Sequence, residues 1–205
     1  MRTLGGAAVV ATLFVPLLPA VAGEEEPRPG SIAGRVDSPW VRRIEGAVYV
    51  ERIEGGKFDP PKEAAVMDQK DLVFVPHVLP VLVGTTVRFP NSDTVRHNVL
   101  SPKGSPKVFN LGTYDAGEAK EVVFETPGVV PLLCNVHSEM SAFVLVLETP
   151  WFARTDRTGG FQIEGVPPGT YRLTAWHEKL KPLTKDVKVE AGKTAEVVFE
   201  KLEKR

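Results

Sequence analysis

The chain has 205 residues, 42% hydrophobic and 25% charged, with 25 basic against 26 acidic side chains for a net charge of −1. No basic surplus points to nucleic acid or an anionic membrane surface, and the composition is that of a globular protein. Eighteen Gly, eighteen Pro and many short valine-rich runs predict an all-β chain with numerous turns.

At the start, Met1 and Arg2 precede an apolar run over residues 4–18, and Ala20, Val21 and Ala22 stand before Gly23 and three glutamates. That is the pattern of a cleaved signal peptide spanning 1–22. The apolar run falls short of the roughly 20 residues that cross a bilayer, and Pro16 and Pro19 interrupt it, so no membrane span is expected. Export to the periplasm, or to the extracellular space, follows from this reading. Residues 23–29 are acidic and proline-containing, a flexible leader.

Ile32, Gly34 and Val36 suggest a first strand and residues 46–51 a second, before Gly55, Gly56, Pro60 and Pro61 break the chain. Strand patterns then follow closely, at 72–75, 78–83, 86–89, 97–100, 121–124, 129–133 and 142–147. This is the rhythm of a Greek-key sandwich over 64–149. Thr149 and Pro150 mark a boundary. Beyond it, turns at 156–160 and 166–170 lead into strands at 161–163 and 171–176, with two more at 183–189 and 194–199. Four strands in so short a segment make a marginal core.

The only cysteine, Cys134, is followed three residues on by His137 and six on by Met140. In an exported chain a lone cysteine has no internal disulfide partner, which leaves an intermolecular link, a liability or a metal ligand. A thiolate, an imidazole and a thioether on one tight loop, joined by a second imidazole, make the His₂Cys set with weak axial Met of a blue-copper site. His97, at the start of a strand pattern, is the candidate second imidazole. His77 follows Pro76 and is read as a strand-edge histidine rather than a ligand of a second metal. His177 lies at a strand exit and is read as structural. No nucleophile elbow, phosphate-binding glycine loop or His-Glu-x-x-His helix occurs, so no enzyme activity is expected.

Residues 66–147 resemble the cupredoxins, and the short Cys-x-x-His-x-x-Met loop resembles that of amicyanin more than the longer one of plastocyanin. The resemblance implies one mononuclear type 1 copper, with His97, Cys134 and His137 equatorial and Met140 axial. It implies a second-shell role for Asn98, tying the two ligand segments together, and transient docking of redox proteins around His137, ringed by Val136, the loop beside Leu100 and residues 76–80. Leu132 and Leu133 depart from the aromatic often found before the cysteine. The function implied is one-electron transfer between redox partners; the alternative is copper sequestration or delivery.

The Gly-Gly-Phe at 159–161 and the Val-Pro-Pro-Gly-Thr-Tyr at 166–171 resemble carboxypeptidase regulatory-like, or transthyretin-like, β-sandwich modules. Their opening strands are similar to residues 31–36 and 45–50. The expectation is a cupredoxin inserted into such a module, with first strands at 30–55 and the remainder at 150–201; the alternative makes 31–55 extra strands of the cupredoxin.

Overall fold

The computed structural model describes residues 28–205, so the signal peptide and most of the leader lie outside the described residues. Seventeen strands follow one another. In the first part are β1 (Gly30–Val36), β2 (Ala47–Val50), β3 (Ala65–Val66), β4 (Asp68–Lys70), β5 (Val73–Val75), β6 (Val78–Leu82), β7 (Thr85–Pro90) and β8 (His97–Ser101). Next are β9 (Phe109–Tyr114), β10 (Ala119–Phe124), β11 (Gly128–Leu133) and β12 (Ser141–Leu147). The chain closes with β13 (Phe152–Arg154), β14 (Gly160–Val166), β15 (Gly169–Trp176), β16 (Leu183–Val189) and β17 (Thr194–Phe199).

Two sandwiches result. One pairs the sheet β14-β1-β17 with the sheet β13-β2-β15-β16, around a core that includes Ile32, Val48, Ile163, Leu173 and Phe199. The other is built from β10-β7-β3, β6-β12-β11-β8-β9 and the hairpin β4-β5, around Phe89, Phe124, Val130 and Leu132. Neither β1 nor β2 pairs with any strand between β3 and β12. The chain therefore leaves the first sandwich after two strands and rejoins it at β13.

β1 is the strand that knits this sandwich together. It pairs antiparallel with β14 and parallel with β17, so both of its neighbours come from the far, C-terminal part of the chain. Gly34 is required there because an added Cβ would lie 1.7 Å from the Val197 carbonyl oxygen on β17. A backbone oxygen cannot swing aside as a side chain can.

The two sandwiches share a seam, and β12 shows why its sequence is apolar at nearly every position. Ala142, Val144 and Val146 face the core of the second sandwich, while Phe143, Leu145 and Leu147 face a separate cluster with Ala47, Val78 and Trp176. Alternate residues point to opposite faces, so a strand buried on both loses its polar alternation. β2 does the same, with Val48 and Val50 in its own core and Ala47 and Tyr49 at the seam. Each large seam side chain contributes about 1.5–3 kcal/mol by burial, which favours a fixed junction over a loose tether.

The sequence pattern does not predict β9, whose Phe-Asn-Leu-Gly-Thr-Tyr carries a glycine and an asparagine where strands usually carry β-branched residues. It also took 72–75 as one strand. Asp71 and Leu72 instead form the tip of the β4-β5 hairpin, both at positive φ (53° and 60°), a conformation that favours Gly or Asn.

His177, just past β15, is fully used in the fold. Its Nε2 donates to the Ile44 carbonyl at 3.1 Å and its Nδ1 accepts from the Lys179 N–H at 3.1 Å. A second proton would face the Lys179 N–H. Burial accordingly holds the imidazole below its ordinary 6.5, outweighing the Ile44 and Glu178 contributions that raise it.

Two outcomes follow from this packing. Gly34→Ala should cost about 1–3 kcal/mol by forcing β1 from β17, read from denaturant unfolding of the full chain; an unchanged midpoint would mean the close approach is absent. The lowered folded-state value of His177 gives a stability contribution that is full above about pH 6.5 and lost as pH falls below it, because the unfolded chain takes the proton first. Melting temperature should thus fall between about pH 7 and pH 5 with a steeper slope in the native chain than in His177→Gln. Parallel slopes would contradict it.

Candidate metal centre

His97 opens β8, and Cys134 and His137 lie on the loop between β11 and β12. These two segments are brought together because β11 and β8 are neighbours in one sheet, with Leu133 opposite Leu100. The ligand atoms of His97, Cys134 and His137 lie within 4.8 Å of one another. The Nδ1 atoms of the two imidazoles face each other at 3.0 Å. Two lone pairs at that distance repel unless a proton or a cation is shared between them.

Burial differs sharply across the set. His97 is 0% exposed, Cys134 5% and Met140 1%, whereas His137 is half-buried. Met140 closes the loop: its carbonyl accepts from the Cys134 N–H at 3.3 Å and its own N–H donates to the His137 carbonyl at 3.1 Å. Its side chain packs in the same core cluster as Cys134. His97, Cys134 and His137 therefore bring their ligand atoms together, and Met140 is tied to the same loop through its main chain.

Sequence reasoning passed over Asp93. Its Oδ2 accepts from His97 Nε2 at 3.0 Å and from the Leu72 N–H at 2.8 Å, and its Oδ1 accepts from the Thr94 N–H at 2.7 Å. The Leu72 bond, followed by those from His97 and Thr94, holds this carboxyl at about 2. An ionised carboxylate only accepts hydrogen bonds, so His97 must carry its proton on Nε2. That leaves Nδ1 as a lone-pair donor aimed at the cluster, the arrangement in which an outer carboxylate fixes tautomer and ring orientation. A signal was present in the sequence: Asn91 two residues before Asp93 makes an Asx turn, its Oδ1 accepting from the Asp93 N–H at 3.1 Å.

Asn98 links the two candidate ligand segments through its main chain. Its backbone N–H donates to Cys134 Sγ at 3.5 Å, while its side-chain amide donates to Asn110 on β9 at 2.8 Å. The main chain, not the amide, makes the link to the cysteine. Next to it, Tyr114 sits opposite His97 in the β8–β9 ladder and donates its hydroxyl to the Phe89 carbonyl at 2.9 Å. Burial pushes that phenol up to about 12.

The donor chemistry fits copper. A thiolate and imidazoles select the softer first-row ions, and the four-residue set has no oxygen donor that would favour magnesium or calcium. If Asp93 orients the donor nitrogen, Asp93→Ala should weaken metal binding by about 10- to 100-fold without unfolding the chain, measured by competition with a chelator. Equal affinity in the variant would limit Asp93 to bracing the hairpin.

The sequence profile of the carboxypeptidase regulatory-like domain matches residues 141–201. That match begins inside β12, which the sheet pairing places in the second sandwich, whereas β1 and β2 pair with the matched strands from outside it. No curated protein matches the chain. Among solved structures, a purple cupredoxin from Nitrosopumilus maritimus is 31% identical, covering 40% of this chain and 98% of that one at a TM-score of 0.37. A copper-containing nitrite reductase from Thermus scotoductus SA-01 is 26% identical, covering 49% of this chain and 25% of that one at 0.41. A reduced amicyanin variant is 25% identical, covering 42% and 84% at 0.39. Among the described residues no helix is long and apolar enough to cross a membrane. By strand order, core and ligand cluster, the chain is an all-β protein that joins a cupredoxin-like sandwich to a carboxypeptidase regulatory-like one.

Proposed function

We propose that the protein is an exported one-electron carrier in which His97, Cys134, His137 and Met140 would hold a single type 1 copper. The observation that supports it most is the convergence of two imidazole nitrogens and one thiolate sulfur within 4.8 Å. Copper bound there supplies a Cu(II)/Cu(I) couple. The residues supply a cage that need not rearrange: Asp93 holds His97, the Asn98 N–H holds Cys134, and the two loop bonds of Met140 hold the segment between them.

Export rests on the sequence of residues 1–22. The insertion of residues 64–149 between the two halves of the regulatory-like module rests on the pairing of β1 with β14 and β17 and of β2 with β13 and β15, and the Gly34→Ala unfolding measurement tests the β1–β17 contact among these.

His137 is the ligand nearest solvent, and this supports an electron route through its edge. Val136 beside it is 47% exposed, and Val95 and Leu72, at the same end of the sandwich, are 41% and 48% exposed. Such an apolar rim suits brief, weak docking of a redox protein. Of residues 76–80, Val78 and Pro80 are buried, which leaves Pro76, His77 and Leu79 with exposed surface. Sequestration or delivery of copper would need readily exchanged ligands, and the enclosure of His97 and Cys134 favours the carrier.

Adding Cu(II) should give an intense thiolate-to-copper absorption band in the visible that a mild reductant bleaches reversibly. Cys134→Ser should abolish this band with far-ultraviolet circular dichroism unchanged. Met140→Leu should keep the colour and raise the reduction potential, because a weak axial donor stabilises Cu(II) more than Cu(I). A native chain that stays colourless with copper, or a Cys134→Ser chain that stays blue, would sink the assignment.

A further inference from the structure

Four histidines occur in the chain. His97 and His137 face each other in the metal cluster, and His177 spends both nitrogens on the backbone. His77 is the one left over. Its Nε2 is buried and makes no hydrogen bond, and its ring packs edge-on against Phe143 at 5.7 Å.

Glu178 lies across the seam from it. Glu178 Oε2 is 3.7 Å from His77 Nε2, too far for a hydrogen bond, and its side chain is only 10% exposed. Its other oxygen is 3.7 Å from the half-exposed ammonium of Lys179. His77 Nε2 is thus a nitrogen taken out of water with no hydrogen bond, which is unfavourable unless something joins it to the Glu178 carboxylate that faces it from the cleft.

Both side chains line a cleft of about 850 Å³ between the sandwiches, which gives an ion and its waters room to enter. Glu45 lines the same cleft but is already engaged, accepting from the Val78 N–H at 3.2 Å and from Arg154 at 3.1 Å. Two donors on one first-row ion, each at about 2.0–2.2 Å, stand roughly 3–3.7 Å apart.

We propose that His77 Nε2 and Glu178 Oε2 form a second metal site at the seam, taking a divalent cation such as Zn²⁺ with water in the remaining positions. One imidazole and one carboxylate suit zinc or Cu(II) better than calcium or magnesium, which take oxygen donors alone. His77 comes from the cupredoxin-like sandwich, between β5 and β6, and Glu178 from the regulatory-like one, just after β15. A bound ion would therefore cross-link the two and stabilise their junction by mass action.

Zinc is the probe for the test. In the full chain carrying both His97→Ala and Cys134→Ala, calorimetry should still detect one equivalent of Zn²⁺. Adding either His77→Ala or Glu178→Gln should weaken that binding about ten-fold or more. Imidazole NMR of the native chain gives a reading that does not depend on those variants: Zn²⁺ should move the His77 resonances and leave those of His177 in place. Unchanged zinc affinity in both variants, or still His77 resonances at saturating zinc, would overturn the site. The first copper centre would be untouched by either failure.

Discussion

One hydrogen bond sets the chemistry of the ligand cluster, the one between His97 Nε2 and Asp93 Oδ2. With the ring proton committed to Asp93, Nδ1 is left as a bare donor, buried at 0% exposure and 3.0 Å from its counterpart on His137. A proton on His137 Nδ1 relieves that contact, and so would a cation shared with the Cys134 sulfur, so an outer carboxylate that would never touch the ion is what presents His97 Nδ1 to it.

Asp93 is also where local strain and site geometry meet. Leu72 takes a left-handed backbone at φ 60° with no glycine to ease it, and its N–H is fixed by the same Oδ2 that holds His97. An ordinary side chain in that region is unfavourable and persists only where its surroundings over-determine it. Here the surroundings are the turn's own hydrogen bond to Asp93 and the pairing of β4 with β5 on either side. The hairpin tip and the ligand ring therefore share one support, and the exposed Leu72 lies over the end of the sandwich from which electrons would leave.

What the sequence disclosed followed from how local each signal is. Cys134, His137 and Met140 share one loop, so their spacing alone marks them as candidates, and His97 stands out as the candidate second imidazole at the start of a strand pattern upstream. The pairing of the first two strands with the last five was legible only through the resemblance of their motifs, since β1 meets β17 across more than half the chain. Asp93 was overlooked because its partner is fixed by the turn from Asn91, which composition does not encode. β9 escaped because Gly112 and Asn110 break the apolar alternation, yet Asn110 is the residue that receives the Asn98 amide. The apolar run of β12 was recognised as a strand, but one strand cannot reveal that its second face meets another sandwich.

That second face bears on how the metal loop is held. β12 begins at Ser141, immediately after Met140, so Met140 is anchored to a strand buried on both sides rather than to a mobile connection. Phe143, three residues past Met140, donates its N–H to the His77 carbonyl at 2.9 Å and sets its ring against Trp176 of the other sandwich at 5.3 Å. An isolated sandwich would leave Phe143, Leu145 and Leu147 facing water. Docking the regulatory-like sandwich there removes that surface from solvent and stiffens the strand from which the loop departs. Loop movement would then require the seam to yield as well. A carrier of the kind proposed would gain from this, because electron transfer is slowed by every ligand displacement that must accompany it, and the seam restrains Met140, whose side chain no hydrogen bond holds in place.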